Sequence, residues 1–199
     1  MGGRIRVTLS LSLGIAAVAS LALVLTADAG RRTPTCFGKP ATMVGTNGND
    51  TITGTEHADV IVALGGTVDT IDGNGGRDRI CGGDGEDDIM GGPGGDRIDG
   101  QAGADNIHGD DGSVSVGGDD IIKGGDRAEN LFGDGGDDQI SGGNADDDID
   151  GNNGADTLSG GNGVDRINGG NGHDSCDGGP GTDITDGTCE TTHNIPKQQ

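Results

Sequence analysis

Large apolar residues recur along most of the chain at a spacing of nine residues. The intervals are 9, 10, 9, 9, 9, 9 and 15, and then 9 without a break. The residues that follow this spacing are Ile52, Ile61, Ile71, Ile80, Ile89, Ile98, Ile107, Ile122, Leu131, Ile140, Ile149, Leu158 and Ile167. Two more units follow at the same spacing, with Cys176 and Thr185 in the apolar position. Each apolar residue is the middle of a three-residue segment, and alternation along a strand turns such a residue to one face.

An acidic residue stands two positions before each of these apolar positions, after a glycine-rich turn. Glutamate holds this place in one unit, at Glu129. Aspartate holds it in the other fourteen units, at Asp50, Asp59, Asp69, Asp78, Asp87, Asp96, Asp105, Asp120, Asp138, Asp147, Asp156, Asp165, Asp174 and Asp183. We count 15 units between Gly45 and Asp186, with the acidic residue sixth and the apolar residue eighth in each.

These units predict an all-β solenoid in which each unit contributes a six-residue turn and a three-residue strand. Two units complete one coil, so each unit stacks on the unit two places further along, at a strand spacing of about 4.8 Å. Two parallel sheets then face each other across a thin core of isoleucine. The tight turns need a backbone with positive φ, which glycine adopts readily. Glycine accordingly makes up 45 of the 199 residues.

Composition and charge narrow the range of functions. The formal net charge is −22, and the only aromatic residues besides histidine are two phenylalanines. An aromatic core is therefore excluded, and we expect no nucleic-acid partner because a polyanion repels a polyanion. Five prolines without a three-residue glycine period exclude collagen. Two classes remain, namely a disordered acidic chain and a fold that a bound cation stabilises.

The best-preserved unit, residues 160–168, reads GGNGVDRIN, and residues 91–99 and 169–177 are further copies. They match the pattern G-G-x-G-x-D-x-U-x, in which U is a large apolar residue. The chain therefore resembles the RTX (repeats-in-toxin) family of haemolysin-type calcium-binding repeats over residues 45–186. The resemblance implies a right-handed parallel β-roll that binds Ca²⁺ in its turns.

The chemistry of the turn agrees with calcium as the cofactor. A curled turn offers backbone carbonyl oxygens, the sixth-position aspartate adds a carboxylate, and Ca²⁺ takes six to eight such oxygen ligands. The fourteen aspartates are thus the candidate metal ligands. Because two stacked turns each supply part of a site, 15 units allow at most 13 sites between turns. Glu129 and Arg127 depart from the pattern, and we expect both to weaken calcium binding in their unit.

The N-terminus has the pattern of a secretory signal peptide over residues 1–29. Arg4 and Arg6 precede an apolar stretch from Leu9 to Leu25, and Ala27 and Ala29 supply the small residues before a cleavage point. We expect cleavage after Ala29, a secreted, extracellular chain and no membrane association afterwards. An uncleaved membrane anchor is the alternative.

Four cysteines in an exported chain suggest two disulfides, for which three pairings exist. Cys176 and Cys189 are close enough in the roll to pair. Cys36 can reach Cys81 only if residues 30–44 form an irregular cap over the first coils. The expected domains are this cap, a β-roll over 45–186 with an insertion near 110–119, and a C-terminal cap and tail over 187–199. The insertion is either a loop or a break between two rolls.

The sequence thus predicts a secreted calcium-binding repeat protein that folds on binding Ca²⁺. Nothing outside the repeats is long enough for a catalytic domain, so we expect no enzyme activity. The first alternative is a structural or adhesive component of an extracellular layer that Ca²⁺ stiffens. The second is a calcium-dependent accessory enzyme or inhibitor that uses the 110–119 loop. A protein or surface partner stays unknown.

Overall fold

A computed structural model describes residues 33–112 and 117–194, and within them the chain is all-β without a helix. The strands are β1 (Thr35–Cys36), β2 (Lys39–Pro40), β3 (Met43–Val44), β4 (Thr51–Thr53), β5 (Val60–Val62), β6 (Thr70–Asp72), β7 (Arg79–Asp84), β8 (Asp88–Met90), β9 (Arg97–Ala102), β10 (Asn106–His108), β11 (Ile121–Gly125), β12 (Asn130–Phe132), β13 (Gln139–Asn144), β14 (Asp148–Asp150), β15 (Thr157–Asn162), β16 (Arg166–Asn168), β17 (Ser175–Asp177), β18 (Ile184–Thr185) and β19 (Thr191–His193). No membrane-spanning helix occurs among these residues. The predicted signal peptide lies outside them.

From β3 onward, alternate strands belong to two parallel sheets. The odd-numbered strands β3 to β19 form a nine-stranded sheet, and the even-numbered strands β4 to β18 form an eight-stranded sheet. Neighbouring strands place equivalent residues of every second unit side by side, as Ile71 lies beside Ile89 and Ile89 beside Ile107. The prediction that two nonapeptide units complete one coil of a parallel β-roll is confirmed.

The coils continue across the insertion. Ile98 in β9 pairs with Ile122 in β11, and Ile107 in β10 pairs with Leu131 in β12. Gly118 stacks against Gly94 as the fourth residue of its turn, so the six extra residues enter between the second and third positions of one turn. The insertion is therefore a loop on one edge of a single roll. Residues 113–116 of this loop lie outside the described part.

A single row of aliphatic side chains forms the core between the two sheets. The eighth residue of each unit from Ile61 to Ile167 is at most 3% exposed. Burial of one such side chain stabilises the fold by about 1.5–3 kcal/mol. Cys176 continues the row at the C-terminal end, and Met43, Ile52 and Cys189 pack against it.

The N-terminal hairpin lies against the outer face of the nine-stranded sheet. Strands β1 and β2 pair antiparallel, and the Cys36–Cys81 disulfide joins the hairpin to β7 with a Cα–Cα distance of 5.8 Å. Val62 packs with both cysteines in a second apolar cluster. The hairpin turns the chain back on itself between β1 and β2, before the roll begins at β3. This reversal lets Cys36 reach Cys81 in β7, several units further along the chain.

The C-terminal end is held by the second disulfide. Cys176 and Cys189 are bonded with a Cα–Cα distance of 6.0 Å. Strand β19 pairs with β17 as the last strand of the nine-stranded sheet. Both disulfides fit a chain that folds in an oxidising compartment.

Candidate metal centre

The sixth-position acidic residues form two columns, one along each edge of the roll. The first column is Asp59, Asp78, Asp96, Asp120, Asp138, Asp156 and Asp174. The second column is Asp50, Asp69, Asp87, Asp105, Glu129, Asp147, Asp165 and Asp183. All of them except Asp50 are buried, with at most 8% of each residue exposed.

From Asp69 onward, one carboxylate oxygen of each aspartate in the columns accepts a backbone N–H of the coil before it. Oδ1 of Asp87 accepts the backbone N–H of Asp69 at 2.9 Å, and Oδ1 of Asp138 accepts that of Asp120 at 2.8 Å. The same bond repeats along the first column without interruption from Asp59 to Asp174. These bonds fix the orientation of the bonded aspartate carboxylates relative to the turn beneath them.

The second carboxylate oxygen has no such partner in thirteen of the fifteen units. These oxygens are buried and accept no hydrogen bond from the described residues. They belong to Asp69, Asp78, Asp87, Asp96, Asp105, Asp120, Glu129, Asp138, Asp147, Asp156, Asp165, Asp174 and Asp183. A buried polar atom normally has a partner, and a buried charge normally has a counter-charge. A repeated set of buried acceptors thus indicates a ligand that supplies positive charge at each turn.

These oxygens converge with carbonyl oxygens beside the first glycine of the unit. A β-carbon on Gly82 would lie 2.7 Å from Oδ2 of Asp87 and 2.9 Å from the carbonyl oxygen of Gly100, in the next coil. A β-carbon on Gly124 would meet Glu129 and the carbonyl oxygen of Gly142 in the same way. At Gly82 and Gly124 the first residue must therefore be glycine, because any side chain would fill the space between oxygens of successive coils.

Burial raises the pKa values of carboxylates in the columns. Loss of hydration raises the pKa of Asp96 to about 7, that of Asp138 to about 8 and that of Asp120 to about 9. The backbone N–H that each carboxylate accepts opposes this shift, and nearby carboxylates add to it. The site therefore disfavours the carboxylate anion unless a cation accompanies it.

The ligand set fits a hard cation. Within residues 33–112 and 117–194, no three histidine, cysteine or acidic side chains come together as one metal-binding group. Each turn instead offers one carboxylate oxygen together with backbone carbonyl oxygens, which are ligands that Ca²⁺ accepts in number and in flexible geometry. The donors present therefore suit Ca²⁺ better than a metal that needs imidazole or thiolate ligands.

Twelve of the fourteen aspartates predicted from the sequence carry such a partnerless oxygen. The exceptions are Asp50 and Asp59, whose Oδ2 atoms accept hydrogen bonds from Thr46 and Thr55. Glu129, which departs from the sequence pattern, lies in the second column. Its Oε2 is buried and accepts no hydrogen bond from the described residues. Its Oε1 accepts the backbone N–H of Arg127 at 2.9 Å, within its own turn.

Sequence reasoning missed two further acidic residues. Asp110 is fully buried at the base of the inserted loop, where its oxygens accept the backbone N–H of Gly118 and of Gly135, each at 3.2 Å. Glu190 ends the first column, since its carboxylate accepts the backbone N–H of Asp174. Neither occupies the sixth position of a nonapeptide, so the repeat pattern carries no signal for them.

Fold and site together define the class of the protein: a β-roll of nonapeptide repeats with carboxylate-lined turns. A sequence model of the RTX calcium-binding nonapeptide repeat matches residues 42–68, 65–89, 82–116, 114–149, 123–158 and 150–184. The chain belongs to this family and is a calcium-binding repeat protein. No curated protein and no solved structure matches the chain significantly.

Proposed function

We propose that this protein is secreted and that it folds when Ca²⁺ ions bind between its stacked turns. The observation that carries the proposal is the set of thirteen buried carboxylate oxygens that have no hydrogen-bond partner in the described part of the chain. Twelve aspartates and Glu129 would hold the ions, together with carbonyl oxygens of the neighbouring coil. Their number equals the largest number of sites between turns that 15 units allow.

Charge supports the same proposal. Burial of an unpaired carboxylate costs several kcal/mol, and thirteen such groups would exceed the stability of an ordinary domain. Thirteen divalent cations would more than offset the formal charge of −22. Since the donors are not assembled in an unfolded chain, the free energy of cation binding becomes free energy of folding.

The number of bound ions tests this assignment. Residues 30–199 would be dialysed against millimolar Ca²⁺, and calcium per chain would be measured by elemental analysis. We expect about thirteen ions, from the count of buried oxygens. One or two ions per chain would contradict the assignment.

The proposal of secretion is supported by the signal-peptide pattern and by the two disulfides. Intact-mass measurement of the protein from the culture medium would test it. We expect a chain that begins at Gly30, whereas retention in the cells with residues 1–29 attached would contradict secretion. We further propose that the calcium has a structural role and that the protein catalyses no reaction itself, because the repeats take up residues 45–186.

The alternative function is a structural component of an extracellular layer. It is supported by the outer strands of the eight-stranded sheet, because among the described residues β4 pairs only with β6 and β18 only with β16. Unpaired strand edges can add further strands from another chain. Light scattering during addition of Ca²⁺ would separate the two functions, since a layer component would assemble with increasing protein concentration and a simple binder would stay monomeric.

A further inference from the structure

The first two units differ from the later ones in how their acidic side chains are held. In both, the second residue is threonine. Oδ2 of Asp50 accepts the backbone N–H of Thr46 at 2.6 Å and its hydroxyl at 3.0 Å. Oδ2 of Asp59 accepts the same two groups of Thr55, at 2.8 Å each. The oxygen that lacks a partner in the later units is thus fully bonded here within the protein.

These two units stand at the start of the two columns, one on each edge of the roll. The backbone N–H of Asp50 donates to Oδ1 of Asp69 at 2.8 Å, and that of Asp59 donates to Oδ1 of Asp78 at 2.7 Å. Oδ1 of Asp59 also accepts the hydroxyl of Thr42. Each column therefore begins with an aspartate whose carboxylate needs no cation. Its backbone N–H donates to the next carboxylate, which is the first in the column with a buried oxygen that lacks a partner among the described residues.

A second apolar cluster lies at the same end, outside the central core. Ile61 belongs to the central core, and Val62 on the opposite face of β5 packs with Cys36 and Cys81 under the hairpin. Strand β5 is thus covered on both faces. The Cys36–Cys81 disulfide holds this arrangement through a loop of 45 residues, which restricts the unfolded chain.

We propose that residues 33–62, joined to Cys81 by the disulfide, form a calcium-independent seed on which the later coils add, in order from the N-terminus, as Ca²⁺ binds. The inference rests on the proposed function, because it requires the later coils to depend on calcium. In the seed, threonine hydrogen bonds replace the cation as partners of the carboxylates of Asp50 and Asp59. The seed also fixes the register of both columns, since the carboxylate of a new coil accepts a backbone N–H that the preceding coil donates.

Hydrogen exchange of residues 30–199 with intact disulfides tests the proposal in excess chelator and in millimolar Ca²⁺. In chelator, we expect amides in residues 43–62 to exchange at least about tenfold more slowly than those in residues 88–185. In Ca²⁺, we expect protection along the whole roll. At intermediate calcium concentrations, protection is expected to extend from β6 toward β18.

Threonine variants test the mechanism. In the double variant Thr46→Val and Thr55→Val, each aspartate loses its hydroxyl donor, and we expect the protection of residues 43–62 in chelator to fall about tenfold. The matched control is Thr51→Val with Thr53→Val, two exposed positions in β4. We expect this control to keep the protection of the original chain.

The outcomes separate the seed from the proposed function. Uniformly fast exchange in chelator with full protection in Ca²⁺ would overturn the seed and leave calcium-driven folding intact. Full protection of the whole roll in chelator would overturn both. Protection of residues 43–62 that survives the Thr46→Val and Thr55→Val changes would overturn the role of the threonines.

Discussion

From Asp69 onward, each sixth-position aspartate has two separate tasks, one for each carboxylate oxygen. In Asp138, Oδ1 accepts the backbone N–H of Asp120, while Oδ2 is buried without a partner. The first oxygen orders the turn, and the second is available to a cation. An asparagine can do the first task but lacks the charge for the second.

The change Asp138→Asn therefore separates the two tasks. The amide oxygen retains the bond from Asp120, but the site loses an anionic ligand, so we expect calcium affinity in this turn to fall about tenfold or more. Calorimetric titration with Ca²⁺ measures the loss. Asp148→Asn is the control, because this strand residue is exposed. An unchanged calcium isotherm for Asp138→Asn would show that the buried oxygen is not a ligand.

Ala145 occupies the fourth position of its turn with a φ of 72°. An L-residue with a β-carbon is strained in this region, whereas glycine is not. We expect Ala145→Gly to stabilise the calcium-loaded roll by about 1 kcal/mol, measured by denaturant unfolding in Ca²⁺. Ala155→Gly, in a turn residue without positive φ, should give no gain, and equal effects of the two changes would contradict the explanation.

At the scale of the strands, one aliphatic side chain per unit links the two sheets. Each strand from β5 to β17 contributes one residue to this row, so each coil has little apolar burial of its own and depends on its neighbours. Ile149 in β14 is fully buried, whereas Ile184 in the outermost strand β18 is 37% exposed.

The change Ile149→Ala is expected to lower the free energy of unfolding in Ca²⁺ by about 2–5 kcal/mol, because it leaves a cavity between the sheets. Denaturant unfolding followed by circular dichroism measures it. Ile184→Ala should cost less than about 1 kcal/mol, since its methyl groups are already partly hydrated. Similar losses for both changes would contradict a core that consists of a single row.

The repeat determined most of what the sequence could predict. A fixed nine-residue spacing places Ile89 beside Ile107 and Asp87 beside Asp105, because a solenoid repeats the same backbone path in every coil. Residues that deviate from the repeat carry no comparable signal for their structural roles. Thr46 resembles a tolerated substitution in the sequence, and only the folded turn shows that its hydroxyl reaches a carboxylate. The role of Asp110 depends on where an irregular loop closes, which no period specifies.

At the scale of the whole molecule, the buried carboxylates make the stability of the calcium-free roll depend on pH. The pKa values of Asp96, Asp138 and Asp120 rise to about 7, 8 and 9 on folding, from about 4 in an unfolded chain. The folded state thus holds more protons than the unfolded state between these values. Its stability is greatest below about pH 4 and falls as the pH rises through about 7–9.

We therefore expect metal-depleted protein to contain more β structure at pH 4.5 than at pH 8.5, as measured by far-ultraviolet circular dichroism at constant ionic strength. In Ca²⁺ the order should reverse, because protons compete with the cation for the same oxygens. Greater stability of the metal-depleted protein at pH 8.5 would contradict this explanation, in which the columns bury carboxylates that have no counter-charge.

The central claim is that cations at the buried oxygens fold the roll. Its most direct test is a Ca²⁺ titration of metal-depleted residues 30–199 at neutral pH, followed by far-ultraviolet circular dichroism, with Mg²⁺ as the control. We predict that β structure appears cooperatively with Ca²⁺ and not with Mg²⁺, which keeps its waters and requires a stricter geometry. A spectrum that Ca²⁺ leaves unchanged would contradict the claim, whether the chain is folded throughout or disordered throughout.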